Sequence, residues 1–193
     1  SGSVFSVELL KGKGHLNETE IVRGFKFSED ISLYENQLKA QDLSFDDTTI
    51  FRNIPSVEKS SILIVEDNKQ LRGFMRNLLE FNYNVYEAEN GKEGFEIAIK
   101  ERIDLIVSDV VMPITSGIEL CALVKEDIRT SHIPVILLTT RSSLIYKLEG
   151  LERGADDYIC KPFNIQEFKL RISNVLKSIA RLKQKMNANM SLQ

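Results

Sequence analysis

Five short apolar runs, at residues 62–65, 84–88, 105–108, 134–138 and 157–160, are each separated from the next by one stretch of helical spacing. This alternation constrains the fold more than any other feature of the chain. Three of the runs, Ile62-Leu63-Ile64-Val65, Leu105-Ile106-Val107 and Val135-Ile136-Leu137-Leu138, lack polar alternation, so both of their faces must be covered. Strands apolar on both faces and joined by single helices imply a parallel sheet covered on each side, the doubly wound α/β architecture, and right-handed crossovers leave few topologies. Leu71, Phe74, Met75, Leu78 and Leu79 mark the first helix, behind an Asp67-Asn68 cap; Phe95, Ala98 and Ile99 mark the second. Pro113 and Gly117 punctuate the turn into a third, with Leu120, Leu123 and Val124 on its buried face. Leu144, Leu148 and Leu151 form a fourth behind Ser142 or Ser143, and a last helix starts beyond Pro162.

In such a sheet, ligands bind beyond the carboxyl ends of the strands, where strand order reverses. The first run ends in Glu66-Asp67, the third in Asp109, the fourth in Thr139-Thr140 and the fifth in Lys161-Pro162. Taken singly, these have bland readings: a strand-end acid caps a loop, Glu66-Asp67 favours a helix start, and a lysine is usually solvated. Together they place three carboxylates, a hydroxyl and an ammonium on one edge. Crowded carboxylates repel and raise one another's pKa, whereas a hard divalent ion with oxygen ligands relieves this. Mg²⁺ fits, since it keeps several waters, needs one or two carboxylates and pairs with phosphoryl oxygens. Lys161 would then meet another phosphoryl oxygen as a point charge.

The 193 residues can hold one ordinary domain with extra sequence or two small ones, and a formal charge of -3 with both signs interspersed argues against bulk binding of nucleic acid or anionic membrane. Cys121 and Cys160 lie in apolar segments, which fits reduced core thiols in a cytosolic compartment, and two cysteines are too few for a cysteine metal site. No run reaches the ~18 apolar residues of a membrane span, and no secretory signal opens the chain.

Residues 3–10 alternate with the period of a strand, and residues 11–60 are polar and weakly patterned, a connector with room for a short helix near 28–40. The domain boundary falls at about residues 58–61. In the last helix Ile165, Phe168, Ile172, Val175, Ile179, Leu182 and Met186 form a heptad-like seam that outruns a small sheet. It reads either as a core face with apolar residues beyond it or as an extension that pairs across a homodimer. Lys177, Arg181, Lys183 and Lys185 read as a solvated face. His132 lies in a loop before a strand and His15 in the connector, and both read as structural or exposed.

Ile-Leu-Ile-Val-Glu-Asp-Asn at 62–68, Ser-Asp-Val-Val-Met-Pro at 108–113, Pro-Val-Ile-Leu-Leu-Thr-Thr at 134–140 and Gly-Ala-Asp-Asp-Tyr-Ile-Cys-Lys-Pro-Phe at 154–163 occur in that order. Over residues 61–178 the chain thereby resembles the receiver domains of two-component signalling, CheY-like response regulators. The resemblance implies a five-stranded sheet of order 2-1-3-4-5 with Asp109 as phosphoacceptor. It implies that Glu66, Asp67, Asp109 and the backbone carbonyl of Val111 hold Mg²⁺. Thr139 would close on the phosphoryl group, Lys161 would bind it, Tyr158 would turn inward, and the bond before Pro162 would be cis. Two departures stand out. Thr140 replaces the usual small residue beside the site, where it would modulate access or hydrolysis, and Ile114-Thr115-Ser116-Gly117 lacks the usual acid before glycine.

Residues 2–10 look like the last strand of a histidine-kinase ATP-binding domain. With Asp127-Ile128-Arg129-Thr130-Ser131-His132-Ile133-Pro134 inside the receiver, the chain resembles hybrid two-component sensors of the Bacteroides type. That resemblance divides it into a kinase remnant (1–10), connector (11–60), receiver (61–178) and helical extension (179–193). It implies a histidine kinase domain as phosphodonor, a downstream DNA-binding output domain regulating transcription, a cytoplasmic site of action and a parent anchored in the bacterial inner membrane. The fragment itself would be a phosphorylatable switch without a kinase active site, touching neither nucleic acid nor membrane. Two other readings remain. An aspartyl-phosphate phosphatase would carry a second acid two residues after Asp109, where Val111 stands. A degenerate receiver would serve only as a dimerisation module, against which the intact acidic and basic positions argue.

Overall fold

The computed structural model describes residues 30–41, 59–140 and 152–190, so the 3–10 strand, most of the connector with His15, and the helix at 142–151 lie outside the described residues. Strands β1 (Ser61–Val65), β2 (Asn84–Ala88), β3 (Leu105–Asp109), β4 (Val135–Thr140) and β5 (Asp157–Lys161) are all parallel, in the order β2-β1-β3-β4-β5. Helices α1 (Ser32–Gln41), α2 (Lys69–Leu79), α3 (Gly91–Lys100), α4 (Gly117–Glu126) and α5 (Ile165–Met190) complete the described elements.

The period of two divides the apolar strands between two cores. Ile62, Ile64, Leu105, Val107, Ile136 and Leu138 pack with Leu71 and Met75 of α2 and Phe168 and Ile172 of α5. Leu63, Val65, Ile106, Val135 and Leu137 face the opposite way, onto Ala98 of α3 and Leu120, Cys121 and Val124 of α4. Each such buried aliphatic side chain contributes about 1.5–3 kcal/mol of transfer free energy, enough to hold the strand ends in place.

Several local expectations change in detail. Asn68 alone caps α2, accepting from the amides of Gln70 and Leu71, which leaves the Asp67 carboxylate out of the cap. Leu123 is 39% exposed rather than buried, because positions 117, 120, 121 and 124 form the i, i+3, i+4, i+7 face and leave 123 on its flank. The strand expected to stop before Thr139 runs on to Thr140, where Thr139 and Thr140 pair in register with Cys160 and Lys161.

The seam of α5 divides. Ile165, Phe168 and Ile172 are fully buried, Val175 is partly buried against the same core, and Leu182 is 60% exposed. Upstream, the short helix expected near 28–40 is α1, and Tyr34 from it is fully buried between Phe74 and Phe163, with ring centroids 5.3 and 4.7 Å away.

Gly73 lies inside α2 where an added Cβ would meet nothing within 4 Å. Gly73→Ala is therefore expected to raise stability by about 1 kcal/mol, seen as a higher urea midpoint at unchanged slope. Both cysteines are free. Burial pushes the Cys121 thiol up to about 11, whereas Cys160 is only half-buried. Iodoacetamide at about pH 8 should accordingly label Cys160 in the folded protein and Cys121 only after unfolding, read by peptide mass.

Candidate functional site

Strand order reverses between β1 and β3, and the carboxyl ends of these two strands carry the acids. Glu66 follows β1 directly, its amide held by the Ala88 carbonyl at 3.1 Å, and Asp109 is the last residue of β3. Carboxylate oxygens of Glu66, Asp67 and Asp109 all lie within 4.8 Å of one another. From the end of β5, Lys161 reaches both buried acids, placing Nζ 2.7 Å from Glu66 Oε2 and 3.1 Å from Asp109 Oδ2. The Lys161, Glu66 and Asp109 side chains are only 1%, 0% and 6% exposed, so water does little to screen these charges.

Burial pushes the Glu66 carboxyl up to about 7 against the downward pull of Lys161, with Asp109 and Asp67 adding to the rise. For Lys161, burial works to lower the pKa, but the two carboxylates outweigh it and the ammonium is held above its ordinary value. The lysine is therefore a fixed cation at the centre of the site. Three acids still face one ammonium. Asp67 Oδ1 is buried without any hydrogen-bond partner, an arrangement that costs free energy unless something outside the chain meets it. An unpartnered carboxylate oxygen beside two more carboxylates is a donor set that fits a hard, oxygen-seeking divalent cation.

The turn after β3 is built by close backbone approach. The Val110 amide donates to the Leu138 carbonyl and the Gly117 amide to the Val110 carbonyl, which folds the start of α4 back over Asp109. A Cβ on Gly117 would lie 2.0 Å from the Asp109 carbonyl oxygen, so this approach requires glycine. Ser116 then starts α4 through a reciprocal cap with Glu119. Val111, 47% exposed, lies two residues beyond Asp109 in this turn.

Thr139 is buried on β4, the neighbour of β3, and its hydroxyl donates to the Thr140 carbonyl at 3.3 Å; Thr140 itself is half-buried. Tyr158 is half-buried on β5 with a buried hydroxyl that has no hydrogen-bond partner, and burial, with a smaller contribution from Cys121, pushes that hydroxyl up to about 12. The Lys161–Pro162 bond is cis. His132 is exposed in the turn before β4, at the opposite end of the sheet from the acids.

One contributor had no sequence signal. Arg72 is buried on α2, donating from Nη1 to the Glu66 carbonyl at 2.6 Å and from Nη2 to Glu89 Oε1 at 2.8 Å. An arginine on a helix reads as solvated; here it holds the backbone of an acid at the site.

A family model described as the response regulator receiver domain matches residues 62–173. Over 186 residues the chain is 55% identical to a protein named histidine kinase P4 from Formosa agariphila, an alignment that covers 96% of this chain and 14% of that protein. It is 39% identical over 119 residues to the response regulator ArlR of Staphylococcus aureus, covering 61% of this chain and 53% of the relative. Among solved structures, a signal receiver domain of a signal transduction histidine kinase from Syntrophus aciditrophicus is similar with a TM-score of 0.60 at 36% identity, covering 63% of this chain and 93% of that one. The chain thus spans a seventh to about half of the curated relatives it matches. Among the described residues, no helix is long and apolar enough to cross a membrane.

Proposed function

Because the chain belongs to the response regulator receiver domain family, we propose that Asp109 is its phosphoacceptor and that it serves as the receiver of a hybrid two-component sensor. The observation that carries this reading is the grouping of three carboxylates and a buried lysine where strand order reverses, with Asp67 Oδ1 left unpartnered. Glu66, Asp67, Asp109 and the Val111 carbonyl would hold Mg²⁺, which when bound supplies charge neutralisation at phosphoryl oxygens.

The chain's own groups account for the rest. An Asp109 carboxylate oxygen attacks phosphorus in line, the bond from phosphorus to the donor's histidine nitrogen breaks, and the ring, protonated at its other nitrogen, leaves as neutral imidazole. Lys161, already 3.1 Å from Asp109, neutralises charge on the incoming group. The Thr139 hydroxyl exchanges its bond to Thr140 for one to a phosphoryl oxygen, and Tyr158 follows inward, giving its orphaned hydroxyl a new setting. Thr140, beside Thr139, modulates the approach of water. No histidine adjoins the acids among the described residues, which suits storage of the phosphoryl group better than rapid hydrolysis.

The donor in this reading is a histidine kinase domain of the same parent, in keeping with the 55% identity to a protein named as a histidine kinase. The output is a downstream DNA-binding domain that regulates transcription, in a parent anchored in the inner membrane with its receiver in the cytoplasm. The exposed end of the α5 seam, at Leu182, is the surface for pairing two copies. Light scattering should show a dimer with the phosphoryl mimic beryllofluoride; a monomer with and without it would remove the pairing claim.

The central assignment is tested with acetyl phosphate or phosphoramidate and Mg²⁺, read by intact mass. The unmodified protein should gain one phosphoryl group and Asp109→Ala none. Equal labelling of both, or none of either, would overturn it. In the same assay Asp67→Asn should demand more Mg²⁺ for half-maximal labelling, since it removes an anionic ligand.

A further inference from the structure

The turn that carries Lys161 into α5 is gripped by a residue from far upstream. Gln37 of α1 donates from Nε2 to the Phe163 carbonyl at 3.2 Å and accepts at Oε1 from the Ile165 amide at 3.0 Å, so one side-chain amide brackets Asn164 on both sides. Asn164 in turn accepts from the amides of Gln166 and Glu167, and Ile165 is the first residue of α5. Phe163 is stacked on Phe168 at 4.7 Å and lies equally close to Tyr34, which anchors α1. Backbone positions 163 to 165 are therefore held from outside the matched family region, and Lys161 precedes them by two residues.

We infer that Gln37 is a positioning residue for the phosphoryl site: by clamping the Phe163–Ile165 turn it sets where Lys161 delivers its ammonium. The inference rests on the receiver reading above. It makes α1 part of the working receiver and gives the segment upstream of β1 a direct hold on one side of the site. The clamp acts first on the lysine, because the Glu66 backbone is held separately by Arg72 and the Ala88 carbonyl and its Oε1 accepts from the Asn68 amide at 3.4 Å, while Lys161 meets Glu66 and Asp109 only through its ammonium.

That division supplies the test. On the full 193-residue chain, Mg²⁺ binding and beryllofluoride binding in the presence of Mg²⁺ are measured separately by calorimetry or by backbone amide shifts. Gln37→Ala is expected to weaken beryllofluoride binding about fivefold, as loss of hydrogen bonds that fix one ligand-bearing turn predicts, with the Mg²⁺ midpoint unchanged within about twofold. Gln37→Glu, which keeps the acceptor for the Ile165 amide but turns the donor to Phe163 into a repelling oxygen, should show the same selective loss. Glu35→Ala, exposed on the same helix, should change neither. Equal weakening of both ligands, or of neither, would reduce Gln37 to a packing residue and overturn the inference. Failure of the unmodified protein to bind beryllofluoride with Mg²⁺ would instead overturn the receiver reading, and the clamp with it.

Discussion

Lys161→Ala is expected to lower stability by about 3–5 kcal/mol and to abolish labelling by acetyl phosphate. The side chain is 1% exposed and is the cation shared by Glu66 and Asp109, so its removal leaves two buried acids without compensation and forces Glu66, already pushed up to about 7 by burial, either to stay charged there or to take up a proton. Urea unfolding monitored by circular dichroism measures the loss. A second variant separates the electrostatic cause from a simple cavity: adding Glu66→Gln to Lys161→Ala should recover part of the stability, because it removes an acid that must be buried charged or protonated on folding. If the lysine variant unfolds at the urea concentration of the unmodified protein, the buried triad does not carry the charges assigned to it.

Gly117→Ala is expected to be the most damaging single methyl group in the described chain. The added Cβ would lie 2.0 Å from the carbonyl oxygen of Asp109 and 2.9 Å from its carbonyl carbon, and neither can move without moving the strand end. Overpacking of this kind costs about 1–3 kcal/mol, and contact with a backbone atom places it at the upper end. A displacement of about 1 Å at a reacting carboxylate slows chemistry about a hundredfold, so initial labelling of Asp109 should fall by that order. Gly91→Ala offers a comparison. Its Cβ would meet the Thr115 side chain and carbonyl at 2.8 Å and no atom of Asp109, and it should lose stability with a smaller effect on labelling.

The sheet and its acids were legible because both follow from one pattern. Runs such as Leu105-Ile106-Val107 can be satisfied only between two layers, and once the sheet is parallel the polar residues that end the runs must share an edge. Glu66, Asp67, Asp109 and Lys161 all sit at such run ends, and the structure groups them on one edge. The end of β4 was harder to see. Threonine suits both a strand and the turn after it, and only the register with Cys160 and Lys161 decides that Thr139 and Thr140 are still in the strand. Leu123 was misplaced because two apolar residues three and four positions apart can share a face that a third only borders.

Arg72 and Gln37 were beyond reach for a different reason. Each is a polar side chain whose setting depends on a partner that sequence spacing does not identify. Gln37 bonds to backbone 126 and 128 residues away, and no periodicity records such a pairing. Tyr34 left a faint trace, since Ile31, Tyr34 and Leu38 are spaced for one helical face, but three residues in a polar stretch do not distinguish a docked helix from a solvated one.

The length of α5 gives the clamp mechanical leverage. The helix runs 26 residues without a glycine or proline, and Leu176 is the last of its residues packed against the core, so about 21 Å of stiff helix follows the point where the core stops guiding it. A tilt of about 5° at that fulcrum would carry the far end about 2 Å, roughly the scale on which packed interfaces change partners. Its base is the segment that Gln37 and Asn164 hold next to Lys161. A helix of this length would turn a small tilt of its lower half, whose base lies beside Lys161, into a displacement that a neighbouring surface could register.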